Sequence, residues 1–223
     1  MSLQDKLDAF KADFKAGKPP YKAPPEIRPI MERATAELVA SGQAAHAIKA
    51  GDLAPHFRLK DQDGNEVSST ELLKKGPLVV TFYRGVWCPY CNIELQALNE
   101  VRPELQRHGA NVVAISPQSA VNSRKSVRVN ELRFPVLSDP HNETAAAFGL
   151  RFSLPDYLVE LYTRLKNDLP AFNGDPSWTL PMPARYVIGT DGIVMYSEVN
   201  PDYTHRPDPS EMFPVLQKAK QSV

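Results

Sequence analysis

The feature that most constrains this chain is the placement of its cysteines. The sequence has only two, Cys88 and Cys91, and they form a Cys-x-x-Cys motif. They follow a nearly continuous apolar run at 78–83, which is typical of a central strand covered on both faces. A helical pattern then extends over 88–108 and ends at Gly109. The motif therefore lies where a buried strand passes into a long helix.

This position predicts redox chemistry. Two cysteines at this spacing on a first helical turn place their sulfurs on nearly the same side, close enough to join without moving the backbone. The helix N-terminus adds partial positive charge and free N–H groups, which favour a thiolate near neutral pH. We expect the pair to cycle between dithiol and disulfide. The neighbouring Trp87 and Tyr90 are expected to form a packed wall around it, facing the substrate.

Two other roles for the cysteines were weighed against this one. A single cysteine is most often a small buried hydrophobe, but the spacing and the strand-to-helix position favour redox function. A zinc site needs two more ligands, whereas the sequence has no second Cys-x-x-Cys motif and its five histidines are scattered singly. The prediction is no metal and no bound cofactor.

Charge and hydropathy exclude further function classes. The chain has 26 Lys plus Arg against 26 Asp plus Glu, so no basic surface for nucleic acid or acidic lipid is expected. Its first residues lack the pattern of a signal peptide, and no apolar run approaches the length of a membrane span. Two cysteines this close together are not the scattered set of a secreted disulfide scaffold. These features predict a cytoplasmic protein.

The first fifty residues differ in character from the rest. Leu3, Leu7, Phe10 and Phe14 recur at steps of three and four, which predicts an amphipathic helix ending at Gly17. A helix this short is not stable alone. It must dock on the body of the protein or on a second copy, and we predict the second copy and a homodimer.

A proline-rich segment follows this helix. Five prolines fall within 18–29, which predicts an extended arm. A second helix is expected at 30–39, stopping near Gly42.

From Gly51 onward, short strands and helices alternate. Strands are predicted at 57–59, 78–83, 112–115, 185–188 and 193–199, and helices at 69–73, 88–108, 119–130, 143–148, 155–166 and 210–220. A hairpin turn at 189–192 joins the last two strands. This order predicts an α/β fold with a central mixed sheet and helices on both faces. We divide the chain into a helical N-terminal extension, 1–50, and one domain, 51–223.

Several segments resemble the AhpC/TSA (peroxiredoxin) family of the thioredoxin-fold superfamily. Residues 51–57 resemble the first strand of those domains, and 134–140 with 147–149 resemble a later strand and helix. Residues 181–188 resemble the loop and strand that carry the cis-proline of thioredoxin-like proteins, which makes Pro183 a candidate for holding substrate beside the cysteines. The resemblance implies a thioredoxin-like fold.

At the cysteines, residues 82–91 resemble the peroxiredoxin-like branch with a Cys-x-x-Cys active site. When the family motif Pro-x-x-x-Thr-x-x-Cys is laid on this chain, Cys91 takes the peroxidatic position, Cys88 that of the threonine and Arg84 that of the proline. The family arginine that helps to hold the peroxide falls near Pro183. Arg84 and Arg185 are then the candidates to replace it.

The resemblance implies a thiol-dependent peroxidase. In that register Cys91 attacks the peroxide, Cys88 condenses with the sulfenic acid, and an external dithiol such as a thioredoxin-type protein reduces the disulfide. Two alternatives stay open: a protein disulfide oxidoreductase in which Cys88 attacks first, and a non-enzymatic redox sensor.

Overall fold

The N-terminal part of the chain contains two helices. The computed structural model describes residues 1–19 and 24–221, so residues 20–23 of the predicted proline arm lie outside the described residues. Helix α1 (Leu3–Lys15) matches the predicted amphipathic helix, and helix α2 (Ile27–Ala40) begins three residues earlier than predicted. Pro29 lies in the first turn of α2, where its missing N–H costs no intrahelical hydrogen bond.

A seven-stranded mixed sheet forms the centre of the protein, with the strand order β2-β1-β5-β4-β3-β8-β9. Its strands are β1 (Arg58–Lys60), β2 (Glu66–Ser68), β3 (Leu78–Phe82), β4 (Asn111–Ser116), β5 (Val136–Ser138), β8 (Ala184–Ile188) and β9 (Val194–Val199). The β3-β4 and β4-β5 pairs are parallel, and the other pairs are antiparallel. The predicted mixed α/β fold is confirmed.

Helices cover both faces of this sheet. The helices that follow α2 are α3 (Ser69–Leu73), α4 (Pro89–Arg107), α5 (Ala120–Val129), α6 (Glu143–Ala147), α7 (Asp156–Arg164), α8 (Leu169–Asn173) and α9 (Phe213–Gln221), of which α7 and α8 pack in a separate cluster with α2. A second sheet pairs β6 (Arg151–Ser153) with β7 (Thr179–Pro181). The sequence did not predict β2, β6, β7 and α8, which are three to five residues long. None of the described helices is long and apolar enough to cross a membrane.

The alternation of side chains along β3 produces two cores. Val79 packs with α4 and α1 on one face, while Val80 and Phe82 pack with Phe148 on the other. Every residue of β3 is buried, as the apolar run predicted. The chain therefore passes from a strand in the buried centre of the molecule to the start of α4.

Helix α1 docks on its own chain. Its Leu3 and Leu7 are buried in the core that contains α4, and the ring of Phe10 meets that of Tyr90 edge-on with centroids 5.0 Å apart. The backbone N–H of Leu3 donates to Asp208 Oδ2 at 3.1 Å. The prediction that this face packs against a second copy is therefore corrected: the face is used within the chain.

Candidate active site

Cys88 and Cys91 lie at the start of α4, where β3 passes into the helix. Cys88 is the N-cap residue and Cys91 lies in the first turn. The backbone N–H of Cys88 donates to Gly85 O at 3.1 Å, and its carbonyl accepts from Asn92 N–H, also at 3.1 Å. Both thiols are free and buried. The loop and the helix together hold the pair in place.

The two thiols differ in pKa. Burial by itself would raise the pKa of Cys88, but its hydrogen bond with Cys91 and the charge of Arg84 lower it from 9.0 to about 6. Burial raises the pKa of Cys91 well above its ordinary value, and the neighbouring Cys88 raises it further. At neutral pH, Cys88 is therefore the thiolate and Cys91 the thiol beside it.

Arg84 is held by aromatic side chains. Its Nη2 donates to the hydroxyl of Tyr162 at 2.6 Å, and its guanidinium carbon lies 4.0 Å from the ring centroid of Tyr203 and 4.9 Å from that of Trp87. Among the described residues no carboxylate forms a salt bridge with it. Its positive charge is therefore directed to the neighbouring Cys88 thiolate instead of to an ion pair.

The loop before Cys88 is clamped by side chains on both sides. The N–H of Val86 donates to Gln118 Oε1 at 2.9 Å, and its carbonyl accepts from Asn92 Nδ2 at 2.8 Å. Gln118 in turn donates to the hydroxyl of Tyr83 at 2.6 Å and to Ser126 Oγ at 2.9 Å. This network keeps Arg84 and Cys88 on a fixed backbone.

Two cavities meet at Arg84. A cavity of about 300 Å³ is lined by Cys88, Arg84, Trp87 and Tyr90 among others. A second one, of about 410 Å³, is also lined by Arg84 and includes Pro183. The structure thus gathers Arg84, Trp87 and Tyr90 around Cys88 as expected, and places Pro183 in the second cavity.

Arg185 does not join this group. Its Nη2 donates to Glu94 Oε1 at 2.8 Å, and its side chain is 1% exposed. Arg185 faces α4 from strand β8, is bound to Glu94 and lines neither of the two cavities. Its role in holding the peroxide stays a prediction.

Glu94 is the centre of a buried ion triad. Besides Arg185, it accepts a hydrogen bond from Arg206 Nε at 2.6 Å, and all three side chains are almost wholly buried. Glu94 follows Cys91 by three residues and so lies on the same side of α4. Two cations against one anion leave net positive charge beside Cys91, and Arg206 acts to lower the pKa of both thiols.

Comparison with known proteins assigns the family. A model of the AhpC/TSA family matches residues 50–197. The chain belongs to the AhpC/TSA family. Peroxiredoxin Bcp of Escherichia coli is 33% identical over 103 residues, which are 46% of this chain and 65% of that protein, so the match spans less than two thirds of that relative.

Two further proteins are similar to this chain, one in sequence and one in structure. Thiol-disulfide oxidoreductase ResA of Geobacillus thermodenitrificans is 28% identical over 121 residues, 54% of this chain and 68% of that protein. The structure of peroxidoxin BcpB from Mycobacterium tuberculosis superposes with a TM-score of 0.60 at 23% identity, covering 79% of this chain and 98% of that one. The latter likeness shows the shared fold.

Parts of the site of this AhpC/TSA protein lie outside the family match. Tyr203 and Arg206 follow residue 197, and Phe10 and Phe14 precede residue 50. Sequence reasoning missed Tyr203 and Arg206, since both lie in a loop without periodicity. Glu94 had a weak signal, because it is a charged residue in register with the apolar positions of α4.

Proposed function

We propose that this AhpC/TSA protein is a thiol-dependent peroxidase that reduces peroxides through a Cys88/Cys91 dithiol-disulfide cycle. The observation that carries the proposal is the asymmetric pair beside Arg84: Cys88 has a pKa of about 6 and lines a cavity, while Cys91 is a protonated thiol hydrogen-bonded to it. Membership of the AhpC/TSA family supports it, as does the name of the E. coli relative.

The first step is attack of the Cys88 thiolate on a peroxide oxygen. The S–O bond forms as the O–O bond breaks, which leaves a sulfenic acid on Cys88 and releases water or an alcohol after the leaving oxygen takes a proton from solvent. Negative charge moves from sulfur to the leaving oxygen during this step. Arg84 is positioned to stabilise that charge, because no carboxylate among the described residues neutralises it.

The second step uses the thiol of Cys91. Its sulfur attacks the sulfenic acid on Cys88, which forms the disulfide and releases water. The chain has no third cysteine, so reduction of this disulfide requires an external dithiol. One turn of the cycle converts one peroxide and one external dithiol into an alcohol or water, a second water and one disulfide.

The family motif predicts Cys91 as the first nucleophile, whereas the electrostatics of the site favour Cys88. Peroxide titration of the two single variants, with dimedone to label sulfenic acid, decides between them. The Cys91→Ser protein is expected to consume one equivalent of peroxide and to carry the label on Cys88. Labelling of Cys91 in the Cys88→Ser protein, with none in the converse variant, would instead support the order that the family motif predicts.

A second candidate function is thiol-disulfide exchange with another protein. It is favoured by the low pKa of the N-terminal cysteine of the motif and by the similarity to ResA. Purified protein would be assayed for peroxide consumption with dithiothreitol and, in parallel, for insulin reduction. Peroxide consumption without insulin reduction supports the peroxidase, and the reverse result supports the oxidoreductase.

The reductant, the compartment and the assembly are further proposals. A thioredoxin-type protein suits a disulfide that needs an external dithiol, and a cytoplasmic location suits two free thiols. Peroxide turnover coupled to thioredoxin and thioredoxin reductase tests the first proposal. The homodimer also stays a prediction. The apolar face of α1 no longer supports it, because that face packs within the chain, and light scattering of the full chain tests it.

A further inference from the structure

The cavity at Cys88 has walls from two parts of the chain. The family-matched domain contributes Arg84, Trp87, Cys88, Tyr90, Tyr162 and Leu165. Helices α1 and α2, which precede the family match, contribute Phe10, Phe14, Ile27 and Met31. The N-terminal extension therefore forms about one side of the space in front of the reactive sulfur.

These walls are almost entirely apolar. Among the described lining residues, Arg84 and the Cys88 thiolate carry the only charges, and the contributions of α1 and α2 are aromatic or aliphatic. A volume of about 300 Å³ is roughly ten times that of one water molecule in the liquid. Such a space is much larger than hydrogen peroxide needs, and it reaches the lower end of the range for pockets that bind organic ligands.

One polar position remains unused within this apolar space. Arg84 Nε is buried and has no hydrogen-bond partner among the described residues. Arg84 and Cys88 line the same cavity, so this region combines a nucleophile, a cation and an unpaired donor. A ligand that satisfies all three has a polar, electrophilic oxygen group at one end and an apolar body at the other.

We infer that α1 and α2 build a binding site for the apolar body of a bulky organic hydroperoxide, whose peroxide group then lies between Cys88 and Arg84. The inference rests on the proposed peroxidase function. It makes the N-terminal extension the part of the protein that selects the substrate, because moving the apolar body out of water and onto Phe10, Phe14 and Ile27 favours such a peroxide over hydrogen peroxide.

The test compares kcat/KM for cumene hydroperoxide and for hydrogen peroxide in the wild-type protein and in Leu165→Trp. Leu165 lines the cavity but is 40% exposed, so a larger side chain can enter the cavity from its rim without overpacking the core. We expect the ratio of the two kcat/KM values to fall by about tenfold. Val129→Trp is the matched control, since Val129 is an exposed apolar residue on α5 that does not line the cavity.

A second variant and a binding measurement test the inference even if Leu165→Trp does not fold. Phe14→Ala removes apolar wall from α1 and is expected to raise KM for cumene hydroperoxide more than KM for hydrogen peroxide. Cumyl alcohol, the reduced product, is expected to bind the wild-type protein in calorimetry and to bind Leu165→Trp more weakly.

The outcomes separate this inference from the peroxidase proposal. If the wild-type protein consumes neither peroxide, the proposed function fails, and cumyl alcohol binding still decides whether the pocket exists. If it consumes both peroxides but the ratio is unchanged in Leu165→Trp and Phe14→Ala, the inference is overturned and the peroxidase proposal stands. Failure of cumyl alcohol to bind also overturns the inference.

Discussion

The two cysteines at the start of α4 have contrasting surroundings. On one side, Cys88 faces a cavity, and the nearby cation Arg84 is held by aromatic rings and a hydroxyl. On the other side, Cys91 is backed by Glu94, which is bound by two arginines. Burial and the neighbouring Cys88 raise the pKa of Cys91, whereas the hydrogen bond with Cys91 and the charge of Arg84 lower that of Cys88.

This difference shows how a buried arginine can serve either chemistry or structure. An arginine paired with a carboxylate has much of its charge neutralised, and removing its partner leaves an uncompensated buried charge. An arginine held by aromatic faces keeps its charge available to a neighbouring thiolate. Substitutions at Arg84, on the cavity side, are therefore expected to change mainly the reactivity of Cys88. Substitutions at Glu94, on the triad side, are expected to change mainly the stability of the fold.

The largest effect is expected on the triad side. Glu94→Gln keeps the shape of the side chain but leaves Arg185 and Arg206 buried without a negative partner, so it should lower the free energy of unfolding by about 3 to 5 kcal/mol. Urea denaturation measures it. The control is Glu100→Gln on the same helix, where an exposed pair with Lys6 should contribute less than about 1 kcal/mol. Equal losses in both variants would contradict the structural role of the triad.

The pH dependence of stability should report both thiols. Folded Cys88 releases its proton near pH 6, whereas the unfolded cysteine keeps its proton up to about 9.0, so the unfolded state binds more protons in this window. The free energy of unfolding of the dithiol protein should then rise with pH, by at most about 1.4 kcal/mol per pH unit.

Above pH 9 the sign reverses. Folded Cys91 keeps its proton because its pKa is raised, while the unfolded chain releases it, so stability falls as the pH increases. Chemical denaturation under reducing conditions over this range measures the curve. Cys88→Ser should abolish the rise, and a rise that persists in that variant would assign it to another group.

On the cavity side, the low pKa of Cys88 is expected to depend on Arg84. Arg84→Leu removes the cation beside the thiolate, so the pKa of Cys88 should rise from about 6 by about 1 to 3 units. The rate of alkylation by iodoacetamide against pH gives this pKa directly. If the midpoint stays near pH 6, the hydrogen bond with Cys91 is sufficient to stabilise the thiolate, and the role given to Arg84 is wrong.

A smaller effect is expected at Gly85. Its φ is +145°, and an added Cβ would lie 2.5 Å from Trp87 Nε1, so Gly85→Ala should displace the indole and cost about 1 to 3 kcal/mol. Gly64→Ala is the control, because Gly64 also has a positive φ but nothing lies within 4 Å of the added Cβ. Near-ultraviolet circular dichroism should change for the first variant only. Similar spectra for both would show that Trp87 does not depend on Gly85.

Much of the fold follows from local pattern. The structure agrees with the predicted bounds of β3, α4 and the β8-β9 hairpin to within one or two residues at most ends. These elements could be predicted because their hydrophobic patterns and turn residues are local in the sequence. The short strands β2, β6 and β7 were not predicted. The N-terminal helix was predicted correctly, but its packing partner was not, since an apolar face does not specify which surface covers it.

The sequence by itself indicated the candidate redox pair, because the spacing of Cys88 and Cys91 and their position before a helix are local properties. It also placed Arg84 next to them. Only the tertiary structure decided which arginines pair with a buried carboxylate, since Arg185 and Arg206 are brought to Glu94 from 91 and 112 residues away. The order of the two pKa values was also decided by the tertiary structure, because it depends on burial and on how the other thiol, Arg84 and Arg206 are placed around each sulfur.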